Sequence, residues 1–137
     1  LGHRPLEETD DAIASMRNHV IVIGYGVAGK AVTASLVESG SDVLVIDMSP
    51  VGILQAKRDG ASASIGNAQR REVLEHAGIG VAKLLVSTLP DHRTTVETID
   101  QARSLSTSIP IIAYTVRNVR RCASSDSSGF ILCSFAM

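Results

Sequence analysis

The sequence predicts an α/β fold in which a parallel β-sheet is covered by helices on both faces. Short runs of β-branched and aliphatic residues alternate with helical patterns between residues 19 and 115. The first run, residues 20–23, is continuously apolar, as expected for a strand buried on both faces. A strand–helix–strand alternation of this kind requires right-handed crossovers and therefore a parallel sheet.

The bounds of the individual elements follow from this alternation and from residues that typically begin or end helices. Gly40 is placed to end the first helix, while Ser49 and Pro50 supply an N-cap and a first helical residue for the second. Asn67 is a candidate cap for the third. The predicted elements are strand 20–23, helix 27–39, strand 42–46, helix 50–59, strand 61–65, helix 68–77, strand 83–87, helix 92–107 and strand 109–115.

Both ends of the chain break the pattern. Residues 1–18 carry an acidic cluster and little apolar periodicity, so we expect a solvated N-terminal linker ahead of a domain at 19–121. Residues 122–137 are Ser-rich and then apolar, which predicts an irregular tail. This atypical or truncated C-terminal element is expected to pair as an edge strand or to remain a disordered end.

Composition excludes several classes of protein. The 137 residues, 45% of them hydrophobic, suffice for one core, and a net charge of −1 argues against a nucleic-acid partner. No apolar stretch approaches the ~20 residues that span a bilayer, and no signal-peptide pattern is visible. Cys122 and Cys133 match no metal-ligand spacing. We therefore expect a soluble intracellular domain with reduced thiols.

A glycine-rich turn separates the first strand from the first helix. In it Gly24 permits a tight turn, Gly26 lets the backbone approach a pyrophosphate, and Gly29 allows close packing of helix on strand. The alternative is an ordinary glycine-rich turn. With the alternation above, the turn predicts a Rossmann-like, doubly wound sheet whose ligand meets the helix N-terminus. The predicted contacts are Gly24, Tyr25, Gly26, Val27, Ala28 and Gly29.

Asp47 ends the second strand, 21 residues after Gly26. A carboxylate there accepts hydrogen bonds from the hydroxyls of an adenosine ribose and repels a 2′-phosphate. Met48, which follows it, is also a predicted contact, and it offers no guanidinium to a 2′-phosphate. The site therefore favours NAD(H) or an adenine nucleotide (ATP, ADP or AMP) over NADP. The alternative for Asp47 is a turn or capping carboxylate ahead of Ser49.

Two further loops are expected at the same crevice, because ligands lie beyond the carboxyl ends of parallel strands. Asn67 is predicted either to contact the adenosine or to cap its helix. Thr88 and Asp91 are predicted to meet the phosphates or the distal ribose, with N-capping the alternative for Asp91. The candidate contacts in these loops are Gly66, Asn67, Ala68, Ser87, Thr88, Leu89 and Asp91.

The sequence shows no catalytic apparatus. His92 is the only histidine near the predicted crevice, and an exposed first-turn position is its simpler interpretation. No Ser–His–Asp arrangement, metal-spaced cluster or P-loop lysine is visible. We therefore expect no enzyme but a domain in which the nucleotide acts as an effector. The alternative is the cofactor half of an NAD-dependent dehydrogenase or reductase, since a fold does not fix a function.

Together these residues resemble the regulatory domains of potassium channels and transporters known as RCK, KTN or TrkA-N domains. The opening at residues 19–26 is most similar to the Kef-type cation:proton antiporter branch. The resemblance covers roughly residues 19–120 and includes Asp47, the 66–68 turn, residues 74–78, the 87–91 loop and residues 111–118.

The resemblance implies a sensor of NAD(H) or an adenine nucleotide that forms a homodimer or higher oligomer. It also implies a membrane cation transporter or channel as partner, in the same chain or as a separate subunit, and a cytoplasmic location at the inner face of the membrane. Two positions depart from the family. Asn67 stands where an Asp is usual, and residues 122–137 do not match the family's last helix and strand.

Overall fold

A computed structural model of the chain describes residues 11–115 and 130–134. Residues 11–14 form one helical turn ahead of the sheet. The strands and helices that follow are β1 (Val20–Ile23), α1 (Val27–Glu38), β2 (Val43–Asp47), α2 (Pro50–Arg58), β3 (Ser62–Ile65), α3 (Arg71–His76), β4 (Leu84–Ser87), α4 (His92–Leu105), β5 (Ile111–Thr115) and β6 (Phe130–Ser134).

The described strands form one parallel sheet in the order β3-β2-β1-β4-β5-β6. β1 is central, with Ile23 in register with Ile46 of β2 on one side and Ser87 of β4 on the other. The chain progresses outward from β1 in one direction and from β4 in the other. The predicted doubly wound, Rossmann-like fold is confirmed, and its switch point lies between β1 and β4.

The core consists of aliphatic side chains on the two faces of the sheet. Side chains of a strand alternate between faces, so Ile21 and Ile23 pack with residues of α3 and α4, whereas Val20 and Val22 pack with residues of α2. Leu74 and Ile99 are among the first group, and Ile53 is in the second. Helices thus cover both faces, which explains why β1 and the first four residues of β2 are continuously apolar.

Two helices differ from the sequence prediction. α3 begins only at Arg71, because the Asn67 side chain closes a short turn and Arg70 precedes the helix without a side-chain cap. The sequence also predicts one apolar face of α4 from residues spaced by three, namely Val96, Ile99, Ala102 and Leu105, but these do not all share one face. Each step of three turns about 300°, so four such positions drift around the helix. Val96 is consequently 40% exposed, while Thr95 and Thr98 are buried.

The segment ahead of β1 is largely exposed at residues 11–18 but is anchored to the core through Ile13 and Met16. Ile13 is only 2% exposed and belongs to the α3–α4 side of the core. The Asn18 N–H donates to the Val81 carbonyl at 2.8 Å. The expected linker at 1–18 therefore contributes part of its length to the fold, because Ile13 buries apolar surface that a fully solvated linker would expose. Residues 1–10 of that linker lie outside the described residues.

The apolar run near the C-terminus pairs as an edge strand, the first of the two predicted alternatives. β6 lies parallel to β5, from Ile111 opposite Phe130 to Thr115 opposite Ser134. The boundary at 121/122 and the Ser-rich segment, including Cys122, fall outside the described residues. Within the part of the chain that is described, no helix combines the length and apolar character of a membrane span.

Candidate nucleotide-binding crevice

The crevice lies at the carboxyl ends of β1 and β4, where consecutive connections leave toward opposite faces. Backbone hydrogen bonds hold the loops at this edge. The Gly24 N–H donates to the Ile46 carbonyl at 2.9 Å, and the Thr88 N–H donates to the Ile23 carbonyl at 2.8 Å. The Gly66 N–H donates to the Asp47 carbonyl at 3.0 Å. The loops after β1, β3 and β4 therefore have fixed starting points.

The three glycines of the turn meet different steric demands. Gly24 has φ +94°, a conformation that favours glycine. A Cβ on Gly29 would lie 2.0 Å from the Gly24 carbonyl oxygen, so only glycine lets α1 approach the turn this closely. A Cβ on Gly26 would meet nothing within 4 Å. Gly26 thus faces open space at the mouth of the crevice, where a ligand would approach.

The N-terminus of α1 opens into that space. Gly26 is its N-cap residue, and no side chain caps the helix. The first turn contains no acidic residue, Val27 is 88% exposed and Ala28 is partly exposed. The backbone N–H groups at the start of a helix have no intrahelical acceptors, and they carry the positive end of the helix dipole. This end of α1 is suited to an anion.

Asp47 is partly buried at the end of β2, and both carboxylate oxygens already accept one hydrogen bond. Oδ2 accepts from the Tyr25 N–H at 2.7 Å and Oδ1 from the Ser49 N–H at 2.8 Å. The predicted turn alternative is therefore realised. A carboxylate has about four lone-pair sites, so two of them are left for ligand hydroxyls. On its buried side the carboxylate packs against Gly52, where a Cβ would lie 3.4 Å from it.

The side chain of Tyr25 does not line the crevice, so its predicted contact with a ligand would involve the backbone alone. It is 4% exposed in the core beside α2, and its hydroxyl donates to Oδ2 of Asp59. Burial, and secondly the hydrogen bond and negative charge of Asp59, raise the pKa of the Tyr25 phenol well above its usual range. Only the backbone of Tyr25 is available at the crevice.

In the loop after β3, Asn67 is the one predicted contact with a free polar group. Its Oδ1 accepts from the Gln69 N–H at 2.9 Å, which leaves the amide nitrogen as the available end. Ala68 is 5% exposed and its side chain belongs to the core, so a contact at this position would involve the backbone. Gly66 contributes the backbone bond to Asp47 described above.

In the loop after β4, the predicted side chains are engaged within the protein. The Thr88 hydroxyl lies 2.8 Å from the Ile23 carbonyl oxygen and 3.0 Å from that of Gly24. Asp91 caps α4 by accepting from the N–H of Thr94 at 2.8 Å, which realises the capping alternative. Ser87 is fully buried, with no partner for its hydroxyl among the described residues, and Leu89 packs against the core.

An apolar rim beside Asp47 was only partly predicted. Met48 is 69% exposed, and Ile65, which pairs with Asp47 across β2 and β3, is 46% exposed. Exposed apolar side chains next to a few fixed polar groups are typical of pockets that take an aromatic ring. Ile65 is not among the contacts predicted from the sequence. Its signal was its place as the last residue of a strand whose carboxyl end borders the crevice.

The geometry agrees with a family assignment. Residues 20–122 match the sequence profile of the family described as the TrkA-N domain. The chain belongs to the TrkA-N domain family. The family resemblance inferred from the sequence is thereby confirmed.

Two relatives of this TrkA-N domain are named as ion-transport proteins. It is 30% identical over 108 residues to the putative cation/proton antiporter YbaL of Escherichia coli. It is 32% identical over 111 residues to a glutathione-regulated potassium-efflux system protein of Haemophilus influenzae. These matches cover 79% and 80% of this chain but only 19% and 18% of the relatives. The chain thus spans about a fifth of their length.

Solved structures of TrkA-N and Kef domains are also similar to this chain. The TrkA-N domain of YbaL superimposes with a TM-score of 0.71 at 29% identity, covering 76% of this chain and 77% of that one. The C-terminal domain of a Shewanella denitrificans Kef protein, solved in an AMP-bound form, has a TM-score of 0.65 at 29% identity. That match covers 73% of this chain and 60% of the other.

The TrkA-N domain brings four kinds of group to one edge of its sheet. They are the uncapped start of α1, the carboxylate of Asp47, the amide of Asn67 and the apolar rim of Met48 and Ile65. No group of three His, Cys, Asp or Glu side chains suited to a metal is found among residues 11–115 and 130–134. His92 is an exposed first residue of α4, as expected.

Proposed function

We propose that this TrkA-N domain binds an adenine nucleotide or NAD(H) in the crevice and thereby regulates cation transport by a membrane partner. The observation that carries the proposal is the shared edge of Asp47 and the uncapped α1 N-terminus. One supplies acceptors for ribose hydroxyls, and the other supplies N–H donors for phosphate oxygens. The AMP-bound form of the Kef relative supports this choice of ligand.

Each part of the nucleotide has a matching group. The phosphates would meet the backbone N–H groups of residues 26–28, and the ribose would meet the two unused acceptor sites of Asp47. The base would lie against Met48 and Ile65, within reach of the Asn67 amide. A 2′-phosphate would face the negative charge of Asp47, so NADP would bind more weakly than NAD.

Regulation requires a second conformation with a different affinity for the nucleotide. The membrane antiporter and potassium-efflux relatives are five times longer than the matched region, which supports a transport partner in the same polypeptide or as another subunit. We place the domain at the cytoplasmic face of the membrane, paired with a second copy. Cation transport would then respond to the nucleotide as an effector.

The relatives are transport systems, which points away from an enzyme. The described crevice also offers little for proton transfer. Asp47 and Asp91 are engaged by backbone N–H groups, and His92 is exposed on the first turn of α4. We therefore propose a non-catalytic role and find no observation that favours the dehydrogenase alternative.

The test is titration of the 137-residue chain with AMP, ADP, ATP, NAD, NADH and NADP by calorimetry and thermal unfolding. A ligand at 100 times its Kd adds roughly 2.7 kcal/mol to the free energy of unfolding. Asp47→Asn should weaken every adenosine ligand, whereas Asp42→Asn, at the opposite end of the same strand region, should not. Absence of heat and of thermal shift with all six ligands at millimolar concentration would refute the proposal.

The transport part has its own test. The full-length protein that contains this domain is reconstituted in liposomes, and cation flux is measured with and without nucleotide. The expected result is a nucleotide-dependent flux that Asp47→Asn makes insensitive to nucleotide and that Asp42→Asn leaves responsive. Flux that is equal with and without nucleotide would exclude regulation while leaving binding intact.

A further inference from the structure

One peptide unit of the glycine turn is held at both of its ends. The Tyr25 N–H donates to Asp47 Oδ2 at 2.7 Å, while the Gly24 carbonyl oxygen lies 3.0 Å from the Thr88 hydroxyl. These two backbone groups belong to the same planar peptide unit. Asp47 is the last residue of β2 and Thr88 follows β4, and these strands are the two neighbours of β1. The peptide is therefore fixed from both sides of the strand that precedes it.

The hydroxyl of Thr88 has no hydrogen left for a ligand. It carries a single proton, which it shares between the carbonyl oxygens of Ile23 at 2.8 Å and Gly24 at 3.0 Å. The residue is 8% exposed, and its own N–H donates to Ile23 as well. Thr88 is thus directed at the end of β1 rather than into the crevice.

Thr88 also contacts the start of α1 through the glycine turn. A Cβ on Gly24 would lie 2.7 Å from the Thr88 hydroxyl oxygen. A Cβ on Gly29 would lie 3.1 Å from the same oxygen and 2.0 Å from the Gly24 carbonyl oxygen. The Gly24 carbonyl is consequently enclosed between Thr88 and the first turn of α1. Any rotation of this peptide must move that turn.

We infer that Thr88 is a positioning residue for the phosphate part of the nucleotide, a role that rests on the function proposed above. Its hydroxyl fixes the Gly24–Tyr25 peptide and so aims the N–H groups of residues 26–28 at the phosphate, without touching the nucleotide. Glycine at position 24 makes other peptide orientations accessible. Without the hydroxyl, the buried Gly24 oxygen loses its donor, and the peptide is free to rotate toward another.

The ribose anchor does not depend on Thr88 in the same way. Asp47 keeps the hydrogen bond from the Ser49 N–H at 2.8 Å, which lies within its own loop. The carboxylate therefore stays at the end of β2 when the peptide rotates. Loss of the Thr88 hydroxyl should weaken ligands that carry phosphate more than adenosine, which carries none.

The test compares AMP, ADP and adenosine by calorimetry on the wild type, Thr88→Val, Thr88→Ala and Thr88→Ser. Val and Ala should weaken AMP and ADP roughly tenfold and change adenosine by less than about twofold, while Ser should retain wild-type affinities. Thr98→Val is the matched control, because Thr98 is also buried but bonds within α4 to the Thr94 carbonyl at 2.8 Å. If the Val variant does not fold, Thr88→Ala alone provides the variant that lacks the hydroxyl.

A second measurement follows the peptide itself. Hydrogen exchange of the Tyr25 amide, read by NMR on the protein without nucleotide, should accelerate in the Val and Ala variants and stay slow in Thr88→Ser. Equal losses for AMP and adenosine, or unchanged exchange at Tyr25, would show a merely structural Thr88 and overturn the inference. A wild type that binds neither ligand would instead refute the proposed function, and the inference with it.

Discussion

The hydroxyl of Tyr25 donates a hydrogen bond to the carboxylate of Asp59, the residue that ends α2. The backbone N–H of the same tyrosine donates to Asp47, just ahead of the start of α2. One residue of the glycine turn therefore contacts both ends of the helix that follows β2. The aromatic ring between these two bonds lies in the core beneath α2. Tyr25 joins the candidate site to the packing of the domain.

Tyr25→Phe should lower the free energy of unfolding by about 1 kcal/mol, the usual contribution of one hydrogen bond, because the ring still fills its place. Asp59 is exposed and is rehydrated in the variant, which limits the loss. Urea unfolding measures the change. Asp59→Asn, which keeps an acceptor, should cost less than Asp59→Ala. A Phe variant as stable as the wild type would show that the bond contributes nothing.

Raised pH should reduce the stability that the Tyr25 hydroxyl contributes to the domain. Because the folded pKa of Tyr25 lies above the ordinary value of 10.0, the stabilisation is fully present below that value. As pH rises above it, the unfolded chain loses its proton first, and stability falls. The stability difference between wild type and Tyr25→Phe should therefore shrink between pH 9 and roughly pH 11, measured by urea unfolding. A constant difference over that range would contradict the prediction.

Substitution by alanine should lower the free energy of unfolding far more at Gly29 than at Gly26. Gly29→Ala places a Cβ 2.0 Å from the Gly24 oxygen, and its cost should be at least about 3 kcal/mol of unfolding free energy. Gly26→Ala meets open space, and its cost should stay within about 1 kcal/mol. Its methyl group would stand where the phosphate approaches, so AMP affinity should fall. A stable Gly29→Ala protein would disprove the close-packing argument.

Much of this arrangement could be predicted, because it depends on local backbone requirements. The glycine spacing, the acid after the second strand and the Ser49–Pro50 helix start each express a steric or hydrogen-bonding need within a few residues. The parallel sheet then follows from the right-handed strand–helix–strand crossovers. The turn alternative for Asp47 and the capping alternative for Asp91 were likewise visible in the sequence, since both concern neighbours along the chain.

The sequence did not predict the direction of a side chain where that direction depends on elements distant along the chain. Tyr25 turns away from the crevice because α2 and Asp59, 34 residues on, provide its partner. Thr88 turns toward carbonyls 64 and 65 residues earlier. Ile13 is buried because the α3–α4 side of the sheet leaves room for it. No local sequence pattern indicates contacts between residues so far apart in the chain. A loop residue near the crevice can therefore direct its side chain into the protein.

Asp91 should lose its capping contribution in acid. The hydrogen bonds from the side chain and then the backbone of Thr94 lower the pKa of Asp91 below its usual range. The stabilisation is therefore present above the usual value and disappears as pH falls through the folded value. The stability advantage of wild type over Asp91→Asn should shrink toward roughly pH 2, measured by urea unfolding. Thr94→Val should raise the Asp91 pKa in a carbon-13 titration, and an unchanged value would contradict this explanation.

Thr33→Val should raise the free energy of unfolding by about 1 kcal/mol, because it removes a buried hydroxyl that lacks a partner. Thr33 is fully buried on α1, and among the described residues nothing accepts from or donates to its Oγ1. Valine has nearly the same shape and β-branching, so packing and helix propensity change little. Urea unfolding measures the gain, with Thr98→Val as control, since the Thr98 hydroxyl is bonded and its loss should not stabilise. If Thr33→Val destabilises the domain, its hydroxyl has a partner in solution, and the packing of α1 on the sheet is less dry than its burial indicates.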